Sequence, residues 1–309
     1  MKKITYLILT ISLGLFSCKK HEIIPGPIPT SNLENVFTDN VEDAKQDFTI
    51  NNNAGGSFTG VDGTIVTVPV DAFVYADGST VTGAVNIEMI EVLNYNDMVL
   101  MNKPTVSGDN ILVSGGQLKI TATKSGSQVY LAPDASLSVM VPTDAPDDRM
   151  ALYEGIESLD GPVDWALIED TVVVVEEDSL EGGVYYYFEF DNPDLGWINC
   201  DYRWDNPAPQ TTISAVLDAE YRIRYTSCFV VFPEINSVIN LYPNDTISST
   251  YRLNNVPTGS RAIFVCVAEI DDVYYSYISD ETAITMDHME TAVMSPSTLE
   301  DIEAAIADL

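Results

Sequence analysis

Short runs of strict apolar–polar alternation recur along this chain, and they constrain its fold more than any other feature. In "AVNIEMI", Val85, Ile87 and Met89 alternate with Asn86 and Glu88, so one face is apolar and the other wet. "QLKITAT" repeats the pattern through Leu118, Ile120 and Ala122, and "SLSVMVP" through Leu137, Val139 and Val141. Glycine-containing turns punctuate them, among them "VDG", "ADGS", "SGDN" and "KSGS". Short strands at regular spacing with such turns predict an antiparallel sandwich or barrel. Roughly 260 residues of this pattern exceed what one core usually accommodates, so several modules are expected.

Composition shifts suggest where the modules divide. Residues 18–45 are rich in Pro, Asn and acids without a sustained period and read as a tether. Residues 46–145 form a first sandwich, ended by the break "VPTDAPDD". Residues 146–210 are a β-rich middle segment, and 211–309 a C-terminal sandwich with strand candidates "AEYRIRYT", "CFVVFP", "STYRLNNV", "RAIFVCVAEI" and "VYYSYI". Only the end, "SPSTLEDIEAAIADL", has a helical pattern. There Ser297 is placed to cap and Glu300 to complete a capping box, with Leu299, Ile302, Ile306 and Leu309 near one face. The expected fold class is all-β: tandem antiparallel sandwich modules with a short C-terminal helix.

The N-terminus fixes where such a chain would sit. Lys2 and Lys3 precede the apolar run Ile4 to Phe16, which has signal-peptide length and falls short of the roughly 20 residues of a membrane span. Leu15-Phe16-Ser17-Cys18 follows and resembles the lipobox of bacterial lipoproteins, although Phe16 is uncommon at its place. The resemblance implies cleavage after residue 17, lipid on Cys18 and an outer-membrane anchor, on either the periplasmic or the surface side. An ordinary secretory signal followed by an unrelated cysteine is the alternative. Removing residues 1–17 deletes two lysines and no acid, which takes the formal charge from −33 to −35. That charge repels phosphate backbones and excludes nucleic acid as an expected partner. With Cys18 lipidated, Cys200, Cys228 and Cys266 remain. Cys228 with Cys266 is the favoured disulfide, and three buried free thiols are the alternative.

The glycine-rich stretch "GGSFTGVDGTIVTVPVDAF", Gly55 to Phe73, tests a phosphate-loop reading. Phosphate loops lead into a helix and often carry a lysine, whereas this one leads into β-branched residues and Pro69. The reading fails, and Gly55, Gly56, Gly60 and Gly63 are expected in turns that favour positive φ. With "VTGAVNIEMIEV" and "SGGQLKITATKSGSQVYL", the stretch resembles the ZU-five domain, the β-sandwich of zonula occludens protein, netrin receptors and ankyrins. The resemblance covers residues 50–141 and implies a protein-interaction or assembly module. Some members of that family cleave themselves at a histidine-containing site, for which this segment has no histidine.

Catalytic constellations are scarce. The two histidines are His21, in the tether, and His288, so a histidine-assisted nucleophile has almost nothing to work with, and no H-E-x-x-H spacing occurs. Glu88 and Glu91 fall on opposite strand faces. Calcium is the one cofactor the sequence leaves open, through the acidic loops "DAPDD", "DNPD", "EIDD" and "YPND", with a merely solvated acidic surface as the simpler alternative. Tyr185, Tyr186 and Tyr187 with Trp165, Trp197 and Trp204 form a candidate carbohydrate platform, or else core aromatics. Thr171, Ser179 and Thr246 lie in Asp-Ser/Thr-aliphatic tripeptides that look like Bacteroidetes O-glycosylation acceptors. The expected protein is a non-enzymatic, lipid-anchored envelope scaffold that binds a protein partner. The alternative is a surface adhesin or glycan-binding lipoprotein, with or without calcium.

Overall fold

The computed structural model describes residues 31–158, 161–177, 183–246 and 248–309. The expected signal peptide with Cys18, His21 and Ser179 lie outside these residues. Among the described residues no helix is long and apolar enough to cross a membrane.

The chain is all-β, with antiparallel sheets and a short C-terminal helix. One sheet runs in the order Gln46–Asn51, Ala84–Val92, Asn110–Lys124, Gly196–Arg203, Ala151–Ser158 and Gly161–Leu167. A second runs Val174–Glu177, Val184–Phe190, Leu137–Pro142, Ile65–Val68 and Gly56–Thr59. Their facing sides enclose the sandwich core, where Val85, Ile87, Met89, Leu118 and Ile120 meet Val66, Val139 and Phe188. The alternation read from the sequence therefore sorts side chains as expected.

The first sheet is buried on its other face as well. Ile90, Val92, Leu112, Trp165 and Trp197 point away from the sandwich core into a second one. Strand Thr226–Phe232 and strand Arg261–Ile270 border that second core from the opposite side, through Phe229, Val231, Ile263 and Val265. Their alternate residues, Cys228, Val230, Phe232, Phe264 and Cys266, face a third core. Burial on both faces explains why "CFVVF" and "AIFVCVA" are continuously apolar rather than alternating.

The C-terminal sheet follows the path Met289–Thr291, Gln210–Val216, Thr250–Pro257, Ser237–Pro243, Thr226–Phe232, Arg261–Ile270, Val273–Ile278 and Ser295–Ser297. Its two end strands are consecutive in the chain. The first pairs parallel with Gln210–Val216 and the other antiparallel with Val273–Ile278, so one short segment draws the curled half-barrel together.

Three helices fill the space between sandwich and half-barrel. Helix α1 (Leu33–Asp43) buries Leu33 and Phe37, one turn apart, and the Phe37 ring meets Phe229 edge-on at 5.9 Å. The buried Glu269 carboxylate accepts the Asn32 backbone N–H just before this helix and the Asp272 N–H at 2.7 Å. Helix α2 (Tyr95–Leu100) is capped by Asn94, whose side chain accepts the Asp97 N–H. Helix α3 (Leu299–Ala307) buries Ile302 and Ile306 in the second core, and the Asn96 amide caps its last carbonyls at 2.8 and 2.9 Å.

Several expectations are corrected here. Residues 33–43 are a docked helix rather than part of a tether, because a buried carboxylate and a hydrophobic stripe hold them. The middle segment 146–210 is not separate: Ala151–Ser158, Gly161–Leu167 and Gly196–Arg203 complete one sheet of the first sandwich, while Val174–Glu177 and Val184–Phe190 complete the other. "VPTDAPDD" is a crossover between those sheets, not a boundary. The terminal helix is capped by Thr298, which accepts the Asp301 N–H at 3.1 Å, and not by Ser297. "AEYRIRYT" is a pair of turns up to Tyr225 instead of a strand, closed by Tyr221 N–H to Asp218 and Tyr225 N–H to Arg222. Its two tyrosines are buried, which accounts for the misleading alternation.

Phe37→Ala should lower the unfolding free energy in urea by about 3 kcal/mol, the usual cost of deleting a buried aromatic ring. Unchanged stability would show that residues 33–43 do not dock in solution.

Candidate functional site

The loop after Gly60 is an anion cradle already filled by the protein itself. Glu91 sits on the inward face of strand Ala84–Val92, and its carboxylate accepts the Thr64 N–H at 2.9 Å, the Asp62 N–H at 3.1 Å and the Gln46 amide at 2.9 Å. A phosphate could not enter without displacing it. Gly55 and Gly63 take positive φ as expected, whereas Gly60 serves space: a Cβ there would lie 2.2 Å from a Glu91 oxygen. Glu88, on the other face, approaches Lys45 at 3.4 Å, so the two acids do not cooperate.

The remaining sequence candidates separate on burial. Cys228 and Cys266 are directly opposite one another on paired strands in the third core, with both thiols free. Burial pushes the Cys228 thiol well above its ordinary pKa. Cys200 is free and buried in the sandwich core. Trp165 and Trp197 are buried in the second core, their rings edge-on at 6.5 Å, and Tyr185 and Tyr186 are buried too. Trp165, Trp197 and Tyr186 are core rather than a carbohydrate platform; Tyr187 is half-buried and donates to Glu189, and Trp204 alone of the three tryptophans is half-exposed. His288 is half-buried, stacked 5.6 Å from Phe264 with Glu290 at 3.7 Å, rather than exposed.

Among the described residues no group of three or more His, Cys, Asp or Glu side chains converges on a point that could hold a metal ion. Two of the acidic loops have internal uses: Glu269 holds backbone N–H groups, and a hydrogen bond from Arg149 keeps Asp147 at a pKa of about 2. Thr171 donates to the Ile168 carbonyl at 3.0 Å, and Thr246 is exposed.

A buried polar stripe lies on the side of the first sheet that faces the half-barrel. Asp201 is fully buried and accepts from the Asn199 amide at 2.6 Å, while its other oxygen has no partner. Burial holds its pKa well above the carboxylate range, against smaller opposing hydrogen bonds from Ser114, Gly115 and Asn199. Nearby, Thr105 accepts the Val238 N–H at 3.1 Å and shares a 2.6 Å hydrogen bond with Ser237, stitching the two bodies together.

Two surface features remain open. The first is the edge strand Val174–Glu177, paired on one side with Val184–Phe190 and, among the described residues, on the other side with nothing. Val172, Val174 and Val175 are exposed there, at 72%, 45% and 39%, beside Glu176 and Glu177. The second is a cleft of about 570 Å³ where the hairpin tip at residues 106–111 meets strands Ser237–Pro243 and Thr250–Pro257. An adjoining lobe of about 310 Å³ extends past Trp204. Sequence reasoning missed this cleft, because its walls lie more than a hundred residues apart. The asparagines of "LNNV" and "YPND" were its only trace.

No family model matches this chain, and no curated protein matches it.

Replacing Glu91 with Gln turns one of its two acceptor oxygens into an NH₂ donor that opposes a backbone N–H. It should cost about 2 kcal/mol in urea unfolding; an unchanged midpoint would deny the cradle its role. Asp201 makes a pH prediction. A carboxyl with a raised folded pKa binds its proton more tightly when folded, so its stabilising contribution is present at low pH and lost as pH rises from about 4 toward the folded value. Asp201→Asn should therefore lose less stability than the parent between about pH 5 and about pH 8. Equal losses would mean that Asp201 is ionised in the folded protein.

Proposed function

We propose that this chain is a non-enzymatic, lipid-anchored envelope protein whose sandwich offers an open sheet edge to a protein partner. The observation that carries the reading is the edge strand Val174–Glu177, whose outer hydrogen-bonding side and valines are uncovered among the described residues. An unpaired edge is a template for adding one more strand, and backbone hydrogen bonds would supply affinity. Self-pairing is disfavoured by the formal charge of −33 and by Glu176 and Glu177, so the complementary partner is an extended segment carrying lysine or arginine. The resemblance of Leu15–Cys18 to a lipobox supports the anchor, and the ZU-five resemblance of residues 50–141 supports an assembly role. A second reading, a glycan-binding surface lipoprotein, is favoured by one specific observation, the polar cleft between sandwich and half-barrel.

The edge reading predicts that a peptide alternating valine and lysine slows hydrogen exchange at residues 174–177. A valine–glutamate peptide should not, and Val175→Pro should abolish the effect. No protection from the basic peptide, or equal protection from both, would contradict it. The anchor reading predicts that Cys18→Ala moves the folded protein to the soluble fraction; persistent membrane partitioning would contradict that.

A further inference from the structure

The cleft is electrostatically unlike the rest of the molecule. The chain has 47 acids against 14 lysines and arginines, yet the two lobes hold Arg252 and Arg203 with Asp109 as their one carboxylate. Both guanidiniums are exposed, and among the described residues neither has an ion-pair partner. Arg149 and Arg261, by contrast, each hold a neighbouring carboxylate. Arg222 and Arg224 also lack a carboxylate partner, but Arg222 donates to the Ala219 carbonyl and Arg224 lies over the Tyr225 ring, whereas the cleft gathers two arginines into one concavity.

The other walls combine neutral amides, the Tyr242 and Trp204 rings, and prolines and aliphatic side chains such as Val106, Ile111 and Leu253. Asn240 donates to Asn102 at 2.9 Å, while its buried carbonyl oxygen has no partner. Asn254 accepts from Thr212 at 2.9 Å, which leaves its NH₂ group free to donate. Tyr242 is 49% exposed, and its phenol hydroxyl is a donor at neutral pH. Trp204 packs on Phe232 at 5.5 Å, tilted by 52°, and its half-exposed ring forms an apolar wall of the second lobe. Amides matched to hydroxyls, an aromatic surface matched to apolar C–H faces, and arginine forks matched to carboxylates together describe one ligand class. The volumes lie within the usual range of ligand sites, about 300–1,000 Å³.

We infer that this cleft binds an acidic oligosaccharide bearing uronate carboxylates, with Arg252 and Arg203 each receiving one carboxylate in adjoining lobes. This rests on the glycan-binding reading and adds the charge and the site. An acidic peptide would satisfy the arginines and the amides as well, so triglutamate is titrated alongside, and its binding as tightly as trigalacturonate would overturn the uronate assignment.

The test is calorimetric titration of the folded full chain with trigalacturonate, with maltotriose and sodium sulfate as neutral-sugar and simple-anion controls. Trigalacturonate should bind, and Arg252→Ala and Arg203→Ala should each weaken it by about tenfold, as expected when a charged hydrogen-bonding partner is removed. Both substitutions are at exposed positions, and unchanged melting temperatures would establish that the variants fold. Asn254→Ala should weaken binding without altering its salt dependence. Maltotriose and sulfate should give no heat. Binding of maltotriose as tight as that of trigalacturonate would overturn the uronate assignment while leaving a glycan site. Binding of sulfate alone, or of no probe at all, would overturn both. Trigalacturonate binding unaffected by the double arginine variant would overturn the assignment to this cleft.

Discussion

Trp165 and Trp197 from the sandwich, Phe229, Val231 and Val265 from the half-barrel, and Phe37 and Ile302 from the helices meet in one apolar layer. Everything else in the molecule depends on that layer. It buries the outer face of a sheet whose inner face already lines the sandwich core, and a face of the curled sheet whose other face lines the third. Neither sheet could be exposed on this side without uncovering a large contiguous apolar surface. The polar groups at its margin, Thr105 with Ser237 and Asn236 with the Leu93 and Ser114 carbonyls, fix how the two bodies meet. The cleft is a product of that docking, since its walls come from both.

The alternating strands were legible because each has one parity facing the sandwich core: Val85, Ile87 and Met89 behave in the structure as their spacing implies. Glycine turns and the Pro69 strand end were legible for equally local reasons. What could not be read was which strands share a sheet. Residues 146–210 looked like a unit because an acidic, proline-rich loop precedes them, yet Gly196–Arg203 pairs with Asn110–Lys124 and Val184–Phe190 with Leu137–Pro142. Helix α1 was hidden because its buried stripe rests on few residues, Leu33 and Phe37 with Val41 packed beside them, in a polar background. The tryptophans and tyrosines suited a core more often than a ligand platform, but their spacing left both open. Only the sheet pairing decides that Trp165 and Trp197 are core while Trp204 borders the cleft.

The same reasoning separates structural acids from surface acids. Glu91 and Glu269 were indistinguishable in sequence from dozens of solvated carboxylates, yet each is buried and holds backbone N–H groups that would otherwise go unpaired. The glycine-rich loop resembles an anion site because it is one, with its anion supplied from the neighbouring strand. The surfaces that the fold does not consume are an acidic strand edge on the sandwich and a cleft at the junction lined by arginines and amides. Both surfaces need a rigid frame, the edge to keep its strand extended and the cleft to keep its two walls in register.

The central claim is that sandwich, helices and half-barrel form one cooperative body through the shared apolar layer. Hydrogen exchange followed by mass spectrometry across a urea series tests it most directly. The account predicts that amides of Ala84–Val92 in the sandwich and of Thr226–Phe232 in the half-barrel lose protection together, at a single midpoint. Loss of protection in one strand while the other stays fully protected would show two independent units, and the shared layer would not be what holds the molecule together.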